Sequence, residues 1–322
     1  MSFALPGLIA AAATLAILFL WLRRAAGMPL DYANDRSLHV GAMPRIGGIA
    51  MAGGIVAALP LLSFQHVPMP ILAAASGLFI FSLADDLRPL PVVPRLLGQL
   101  LAAGVAVWGL GIPWVVALPA MLALAWMTNL YNFMDGADGL AGGMAVIGFG
   151  AYGLAAWAHT PELSMTCMAI AGAAIGFLAF NFPPAKVFMG DAGSIPLGFL
   201  AGTLGILGWR EGIWPAWFPI LVFSPFIVDA TVTLWRRLLR GERVWQAHRE
   251  HAYQRLILAG WTHRRLVLAA WVLMAAAAVT ALFARSASSA LQAGALFVWL
   301  AIYMGAWIVI ERRTTNRNPG RA

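Results

Sequence analysis

The sequence predicts an all-α polytopic membrane protein, a bundle of about eleven transmembrane helices. Three observations predict this class: 61% of the residues are hydrophobic, only 11% are charged, and apolar runs recur along all 322 positions. Each run is close to the roughly 20 residues that a helix needs to cross a bilayer. A soluble domain could not bury so much apolar surface. The spans leave positions only for loops, which predicts a single membrane domain over residues 1–322.

Several of the expected spans are short or are interrupted by glycine and proline. Their ends are therefore loosely defined, and ten spans is an alternative count. Arg23 and Arg24 follow the first run, the reverse of the charge order in a signal peptide, and this predicts a retained helix. Cys167 is the single cysteine and lies within a span, which excludes an internal disulfide. The spans are placed at residues 3–22, 45–64, 69–84, 93–111, 112–128, 138–158, 162–181, 194–208, 213–235, 266–284 and 290–310.

The basic residues predict the orientation of the bundle. With the N-terminus outside and the C-terminus in the cytoplasm, only Arg210 and Arg285 of the 21 lysines and arginines fall on the outer side. This is a strong positive-inside bias. The net charge of +8 is then a property of the cytoplasmic face, and topology together with contact to anionic lipid explains much of it.

In this topology most acidic residues lie in inner loops or at inner helix ends. Asp229 lies within the ninth span, about two turns before Arg236, and is expected to orient Arg236 or a neighbouring group. A transporter is expected to hold such groups near the bilayer midplane. Their position at the cytoplasmic rim predicts chemistry between a soluble compound and a molecule carried in the membrane.

The first polar stretch is "SLADDLRPLPVVPRLLGQL". Asp85 and Asp86 end the third span, and Arg95 and Gln99 lie one turn apart on the fourth. Adjacent carboxylates repel each other, so they tend to hold a proton or a divalent cation. A solvated helix end is the alternative interpretation.

The second polar stretch is "NLYNFMDGADGLAGG", residues 129–143. Asn129 and Asn132 present their amides on one face if the fifth helix continues through them, and Asp135 and Asp138 repeat the spacing. Hard oxygen ligands of this kind suit Mg²⁺ or Mn²⁺. A turn rich in Asn, Asp and Gly is the alternative.

The third stretch is "NFPPAKVFMGDAGSIPLGFL". Pro183 and Pro184 are expected to stop the seventh helix, and "GDAGS" leads into the eighth, with Asp191 at its start. Glycines there would let metal and phosphate oxygens approach backbone N–H groups. The Walker pattern of ATP-binding loops is absent. A Gly-rich loop between two helices is the alternative interpretation.

The fourth stretch, residues 236–265, is the longest inner loop and carries eight arginines and three histidines. His248 and His251 form an H-x-x-H pair with no cysteine or third histidine nearby, which disfavours zinc. Arginine and histidine donors together with Trp245 and Tyr253 suit a nucleotide diphosphate. A patch that contacts the lipid surface is the rival interpretation.

These stretches, preceded by "SLHVGAMPRIGG", resemble the motifs of the polyprenyl-phosphate N-acetylhexosamine-1-phosphate transferases in residue pattern and in order. The resemblance extends from residue 37 to about residue 265. The resemblance implies a bundle of ten or eleven spans with a cytosolic active-site cleft. It also assigns roles by position, with Asp85 as the proposed base for the acceptor phosphate. The implied catalytic residues are Asp85, Asp86, Asp135 and Asp138, the implied substrate-binding residues are Arg95, His248, Arg249, His251 and Arg255, and the implied magnesium ligands are Asn132 and Asp191.

The resemblance implies transfer of a HexNAc-1-phosphate from a UDP-N-acetylhexosamine to undecaprenyl phosphate, with release of UMP. The expected setting is the bacterial inner membrane, with the active site facing the cytoplasm and Mg²⁺, or Mn²⁺, as cofactor. Membrane lipid and a second copy of the chain are further expected partners, and nucleic acid is not.

One motif departs from the family's peptidoglycan branch. That branch has adjacent histidines in the last loop, whereas this chain has "HREHAY". This form resembles the branch that initiates O-antigen synthesis, acting on GlcNAc or on deoxy sugars of the FucNAc or QuiNAc type. Two other classes remain as alternatives, a transporter and a CDP-alcohol phosphotransferase. The latter is expected to carry D-G-x-x-A-R, and "DGADGLAGG" lacks the arginine.

Overall fold

The structure, a computed structural model, describes residues 3–24, 30–32, 42–63, 66–246 and 248–315. Residues 37–41 of the "SLHVGAMPRIGG" stretch lie outside these ranges. Within them the chain forms thirteen α-helices, one short 3-10 helix at Leu59–Leu61 and one pair of antiparallel strands, with Leu30 opposite Pro44. The elements are α1 Leu5–Arg24, β1 Leu30–Tyr32, β2 Ala42–Pro44, α2 Gly47–Ala58, α3 Met69–Leu87, α4 Val92–Gly109, α5 Trp114–Phe133, α6 Leu140–Ala156, α7 Pro161–Asn181, α8 Asp191–Arg210, α9 Trp217–Val222, α10 Ser224–Leu239, α11 Ala252–Leu258, α12 His263–Ala284 and α13 Ser289–Thr315.

Proline marks several of the helix starts. Pro91 and Pro113 directly precede α4 and α5, and Pro161 is the first residue of α7. Proline suits these positions because the first helical N–H groups have no intrahelical acceptor.

Eight helices in the described part of the chain are long and apolar enough to cross a membrane: α1, α3, α4, α5, α7, α8, α12 and α13. The chain is therefore a multi-pass, all-α membrane protein. The count of eleven spans and the orientation stay predictions.

The predicted ninth span, residues 213–235, is wrong as a single helix. The chain leaves helical geometry at Phe223, between α9 and α10, and α10 runs on to Leu239. Pro225 lies in the first turn of α10. Its ring has no N–H and would clash with a carbonyl of the preceding turn, so a continuous helix is disfavoured there. The long inner loop also contains a short helix, α11, which was not predicted.

Glycines allow close helix packing in the bundle. A Cβ on Gly172 of α7 would lie 2.0 Å from the carbonyl oxygen of Gly7 on α1, and one on Gly176 would lie 2.5 Å from that of Ala11. Any larger side chain at these positions would separate α1 from α7. Small residues at helix contacts are the usual way for membrane helices to approach each other.

The polar residues meet at one end of the bundle. Helices α3, α5 and α7 end where α4, α6 and α8 begin. Hydrogen bonds join the start of α8 to the ends of α3 and α5, and another joins the loop before α8 to the loop before α6. The start of α2 is fixed to the same end, since Gly47 and Gly48 donate to the carbonyls of Phe188 and Met189 at 2.9 and 2.8 Å. A Cβ on Gly48 would lie 2.3 Å from the backbone nitrogen of Gly193 in α8. Glycine at position 48 therefore permits α2 to pack on the start of α8.

Candidate active site

Asp86 caps the start of α8. Its two carboxylate oxygens accept the backbone N–H groups of Asp191 at 3.1 Å and Ala192 at 2.9 Å, and only 2% of its side chain is exposed. Arg45 lies 3.7 Å away. Gly190, with a φ of +75°, leaves room for the cap, because a Cβ there would lie 2.7 Å from the carboxylate. Asp86 thus satisfies helix donors that have no intrahelical acceptor and fixes the position of Asp191.

Asp85 faces a different set of partners from its neighbour. Its Oδ1 accepts the backbone N–H of Leu90 at 2.6 Å, and its Oδ2 lies 3.2 Å from Nε of Arg95. The same guanidinium places Nη2 at 2.7 Å from Asp191 Oδ2. Arg95 therefore bridges a carboxylate from α3 and one from α8, which offsets the repulsion between them. The two adjacent aspartates do not form one paired site here.

The two asparagines of α5 have separate partners. The helix continues to Phe133, so both lie on its last turns. Asn132 Nδ2 donates to Asp191 Oδ1 and to Ser194 Oγ, each at 2.9 Å. Asn129 instead donates to Gln99 on α4. The structure brings the two predicted magnesium ligands, Asn132 and Asp191, together. It places Asn129 on the side towards α4.

The central acidic loop, residues 134–139, is tied to the loop between α7 and α8. Asp138 Oδ2 accepts the N–H of Ala185 at 3.1 Å, and its Oδ1 lies 3.4 Å from Nδ1 of His263. Asn181 accepts the N–H of Gly139 at 2.8 Å. Asp135 lies in this loop, after Met134, which caps the end of α5. Asp138 therefore has contacts that hold two loops together. The catalytic roles predicted for Asp135 and Asp138 stay predictions.

His248 and His251 of the fourth stretch are neighbours, with ring centroids 4.9 Å apart. His251 immediately precedes α11, and 4% of the residue is exposed. Its ring centroid lies 6.1 Å from that of Phe133 at the end of α5. His248 lies before α11, so an irregular segment rather than a helical turn brings the pair together.

Tyr253 fastens the histidine segment to the acidic loop. Its hydroxyl donates to the carbonyl of Phe133 at 3.0 Å. Burial raises the pKa of this hydroxyl well above its ordinary value, which keeps it a neutral donor. Gly136 provides the space, since a Cβ there would lie 2.1 Å from the tyrosine oxygen. The two stretches are therefore in contact across the end of α5.

Asp229 contacts the histidine segment, while Arg236 is engaged elsewhere. Asp229 accepts the backbone N–H groups of Ala252 at 2.8 Å and Tyr253 at 3.2 Å. Arg236 pairs at 3.0 Å with Glu311 of α13. The expected contact from Asp229 to Arg236 is thus replaced by contacts to the start of α11.

Arg255, expected to bind substrate, is held by the last helix. Its Nη1 lies 2.8 Å from Oε2 of Glu311, and it also donates to Thr314. Arg249 lies between the two histidines, within the segment that Asp229 and Tyr253 hold. The substrate-binding roles of Arg249 and Arg255 stay predictions.

Arg237 organises the loop after α10, a role that no sequence pattern indicated. Its Nε pairs with Glu242 at 2.8 Å, while Nη1 and Nη2 donate to the carbonyls of Gln246 and Arg243, both at 3.2 Å. Only 5% of its side chain is exposed. The guanidinium lowers the pKa of Glu242. In sequence Arg237 resembles Arg236 beside it, and only burial distinguishes them.

Comparisons with known proteins agree with this arrangement. The family described as "Glycosyl transferase family 4" matches residues 68–209. A phospho-N-acetylmuramoyl-pentapeptide-transferase from Moorella thermoacetica is 33% identical over 86% of this chain and 97% of its own length. A probable undecaprenyl-phosphate N-acetylglucosaminyl 1-phosphate transferase from Bacillus subtilis is 29% identical over 85% and 80%. A decaprenyl-phosphate N-acetylglucosaminephosphotransferase from Mycobacterium tuberculosis is 31% identical over 74% and 71%.

The fold and the site define an integral membrane enzyme with aspartate, asparagine and arginine gathered at one end of a helical bundle. The chain belongs to the polyprenyl-phosphate N-acetylhexosamine-1-phosphate transferase family. This membership disfavours the transporter and the CDP-alcohol phosphotransferase as alternatives.

Proposed function

We propose that the protein transfers a HexNAc-1-phosphate from a UDP-N-acetylhexosamine to undecaprenyl phosphate, giving an undecaprenyl-diphospho-sugar and UMP. The observation that carries this proposal is the bridge from Arg95 to Asp85 and Asp191, at the junction of α3, α4 and α8. It provides one cation and two carboxylates at a helix start that phosphate groups can approach.

Charge neutralisation is the main physical requirement of this reaction. An anionic acceptor must approach a diphosphate that is itself anionic, so the protein has to neutralise and align the phosphoryl oxygens. About a third of the Arg95 side chain is exposed, 32%, which leaves its guanidinium accessible to a ligand. A guanidinium can donate two parallel hydrogen bonds to one phosphate. We assign the acceptor phosphate to Arg95.

Asp85 is assigned to the acceptor side because it already contacts Arg95. The second pKa of a phosphate monoester is near 6, so most of the acceptor is dianionic at neutral pH. Proton removal is therefore a small part of the task. Asp85 takes the remaining proton when one is present and otherwise keeps Arg95 in place, since its Oδ2 lies 3.2 Å from Nε.

The residues around Asp191 fit Mg²⁺. This ion is usually held by one or two carboxylates together with water and substrate phosphates. Asp191 would provide a carboxylate, and a flip of the Asn132 side-chain amide would put its oxygen where its nitrogen now donates to Asp191. No group of three or more His, Cys, Asp or Glu side chains that could hold a metal occurs among the described residues. When bound, Mg²⁺ supplies positive charge to the donor diphosphate.

The donor is assigned to the segment that holds His248 and His251. The two rings are neighbours beside the end of α5, and Tyr253 fixes the segment against the acidic loop. Two of the three relatives described above carry N-acetylglucosamine in their names, so UDP-GlcNAc is the first donor to test. The "HREHAY" motif keeps UDP-FucNAc and UDP-QuiNAc as further candidates.

The basic residues support a bacterial inner-membrane location, with the site facing the cytoplasm. We place the reaction at the start of O-antigen or related envelope polysaccharide synthesis, which requires a lipid-linked first sugar. The test is purified protein in detergent with undecaprenyl phosphate, Mg²⁺ and each UDP-sugar separately, with UMP and lipid product both measured. Product from one or more UDP-N-acetylhexosamines, absent without the lipid, is expected. No product from any of them would contradict the proposal.

A further inference from the structure

Asp229 is a buried carboxylate on α10 whose contacts converge on one short segment. It is 8% exposed and accepts the backbone N–H groups of Ala252 and Tyr253. The hydroxyl of Thr233 donates to its Oδ1 at 3.3 Å. The same oxygen lies 3.4 Å from Nδ1 of His251. A buried carboxylate needs several donors, and most of these come from the segment that carries His251.

The ring of His251 depends on Asp229 for a partner. Its Nδ1 is buried and makes no hydrogen bond of good geometry; the Asp229 carboxylate lies 3.4 Å from it, and the backbone N–H of Gln254, in the capping box that begins α11, faces the same side chain. Of these two neighbours only the carboxylate can receive a proton from Nδ1. A histidine that directs Nδ1–H at a carboxylate keeps Nε2 unprotonated and available as an acceptor, or as a donor once the ring is charged. The tautomer and the ring orientation are then both set from α10.

The other side of the segment is fixed by Tyr253. Its hydroxyl donates to Phe133 at 3.0 Å, on the helix that carries Asn132. Asp229 and Tyr253 therefore hold the segment between α10 and α5. Loss of Asp229 would leave the tyrosine contact in place and would release the ring of His251.

We propose that Asp229 is a positioning residue for His251: it fixes the Nδ1–H tautomer and directs Nε2 towards the nucleotide-sugar donor. This inference rests on the proposed function, because it assigns His251 to the donor. Asp229 is not a catalytic residue, since it acts through the histidine.

A double-variant cycle tests the coupling. Asp229→Asn keeps the size of the side chain and replaces one carboxylate oxygen with a donor. It is expected to raise the KM for the UDP-sugar by roughly 10-fold or more, with a smaller change in the KM for undecaprenyl phosphate. The double variant Asp229→Asn/His251→Ala is expected to match His251→Ala alone, because residues that act as a unit are not additive. If the two substitutions each raise the KM for the UDP-sugar and their fold-changes multiply in the double variant, the proposal is overturned.

The matched control is Glu162→Gln. Glu162 lies 3.7 Å from His66, an acid–histidine pair at the opposite end of the bundle, and its loss is expected to leave both KM values within about 2-fold of wild type. If the wild-type protein makes no lipid product, the proposed function itself is contradicted. If the wild type is active but the Asp229 and His251 substitutions change the KM for the UDP-sugar independently, only this inference is contradicted.

A measurement on the wild-type protein covers the case in which Asp229→Asn does not fold. In ¹⁵N-histidine-labelled protein, with the His251 signals identified by their loss in His251→Ala, the ring nitrogens report which one carries the proton. A proton on Nδ1 and an unprotonated Nε2 is the expected state. The opposite tautomer would overturn the proposal.

Discussion

Asp86 and Asp191 are joined across 105 positions of sequence, since the carboxylate of Asp86 accepts the backbone N–H of Asp191 at 3.1 Å. The contact sets where α8 begins and hence where the Asp191 side chain lies. Two of the aspartates assigned to the site by resemblance therefore have a structural dependence on each other, which their spacing in the sequence does not reveal.

Removal of this cap is expected to destabilise the protein. Asp86→Ala deletes both acceptors and should lower the free energy of unfolding by about 1–2 kcal/mol. Asp86→Asn keeps one oxygen and should cost less. Thermal unfolding in detergent measures this, with Glu162→Gln as the control. A wild-type Tm in Asp86→Ala together with abolished turnover would indicate a chemical role instead of a cap.

Asp191 is expected to be required for the chemical step. Asp191→Asn should lower turnover at least about 100-fold, the scale of loss when an electrostatic stabiliser is removed. EDTA should abolish wild-type activity, and Mg²⁺ or Mn²⁺ should restore it. Steady-state UMP release at matched expression measures both effects. Near-normal activity of Asp191→Asn would remove this residue from the metal site.

Asp85 is expected to affect kcat more than donor binding. Its contacts are to Arg95 and to the Leu90 backbone, on the side assigned to the acceptor. Asp85→Asn should therefore reduce kcat and leave the KM for the UDP-sugar within a few-fold of wild type. Separate titrations of the two substrates measure this. A loss that falls mainly on donor KM would show that Asp85 is assigned to the wrong substrate.

His251 is expected to bind the donor. His251→Ala should raise the KM for the UDP-sugar by about 10- to 150-fold, the equivalent of roughly 1.5–3 kcal/mol for a charge-assisted hydrogen bond. The effect on undecaprenyl phosphate should be smaller. His159→Ala, in the short α6–α7 connection and away from the site, is the matched control. If this segment only contacts lipid, the donor KM will be unchanged and use of the lipid acceptor will weaken.

Arg255 is expected to act through the last helix. It pairs with Glu311, which also pairs with Arg236. If this pairing positions α11, Glu311→Gln and Arg255→Ala should change the donor KM in the same direction and by similar amounts. Substrate titrations for both variants measure this. An effect of Arg255→Ala alone would favour direct contact between Arg255 and the substrate.

Local signals predicted part of this site from the sequence. Pro183 and Pro184 follow the end of α7, and the glycines around Asp191 mark the start of α8, as expected from their backbone preferences. The interpretation of residues 129–132 as a continuation of the fifth helix is confirmed, although Asn129 and Asn132 have different partners. These features depend on residues close together in the chain.

Long-range contacts could not be predicted in this way. The cap from Asp86 to α8 and the contact from Tyr253 to Phe133 join elements more than 100 residues apart. Burial alone separates Arg237, which holds its loop, from Arg236 beside it. The break at Phe223 was also missed, because proline in an apolar run does not always end a helix: Pro119 lies inside α5 and Pro196 inside α8.

The identity of the released nucleotide tests the central claim most directly. Purified wild-type protein is incubated with undecaprenyl phosphate, Mg²⁺ and a UDP-N-acetylhexosamine that it accepts, and the nucleotide and lipid products are quantified together. Transfer of a sugar-1-phosphate predicts UMP and a lipid diphospho-sugar in equal amounts, both lost in Asp191→Asn. Release of UDP with a lipid monophospho-sugar would contradict the account, because the bond broken would then be the one between the sugar and the diphosphate.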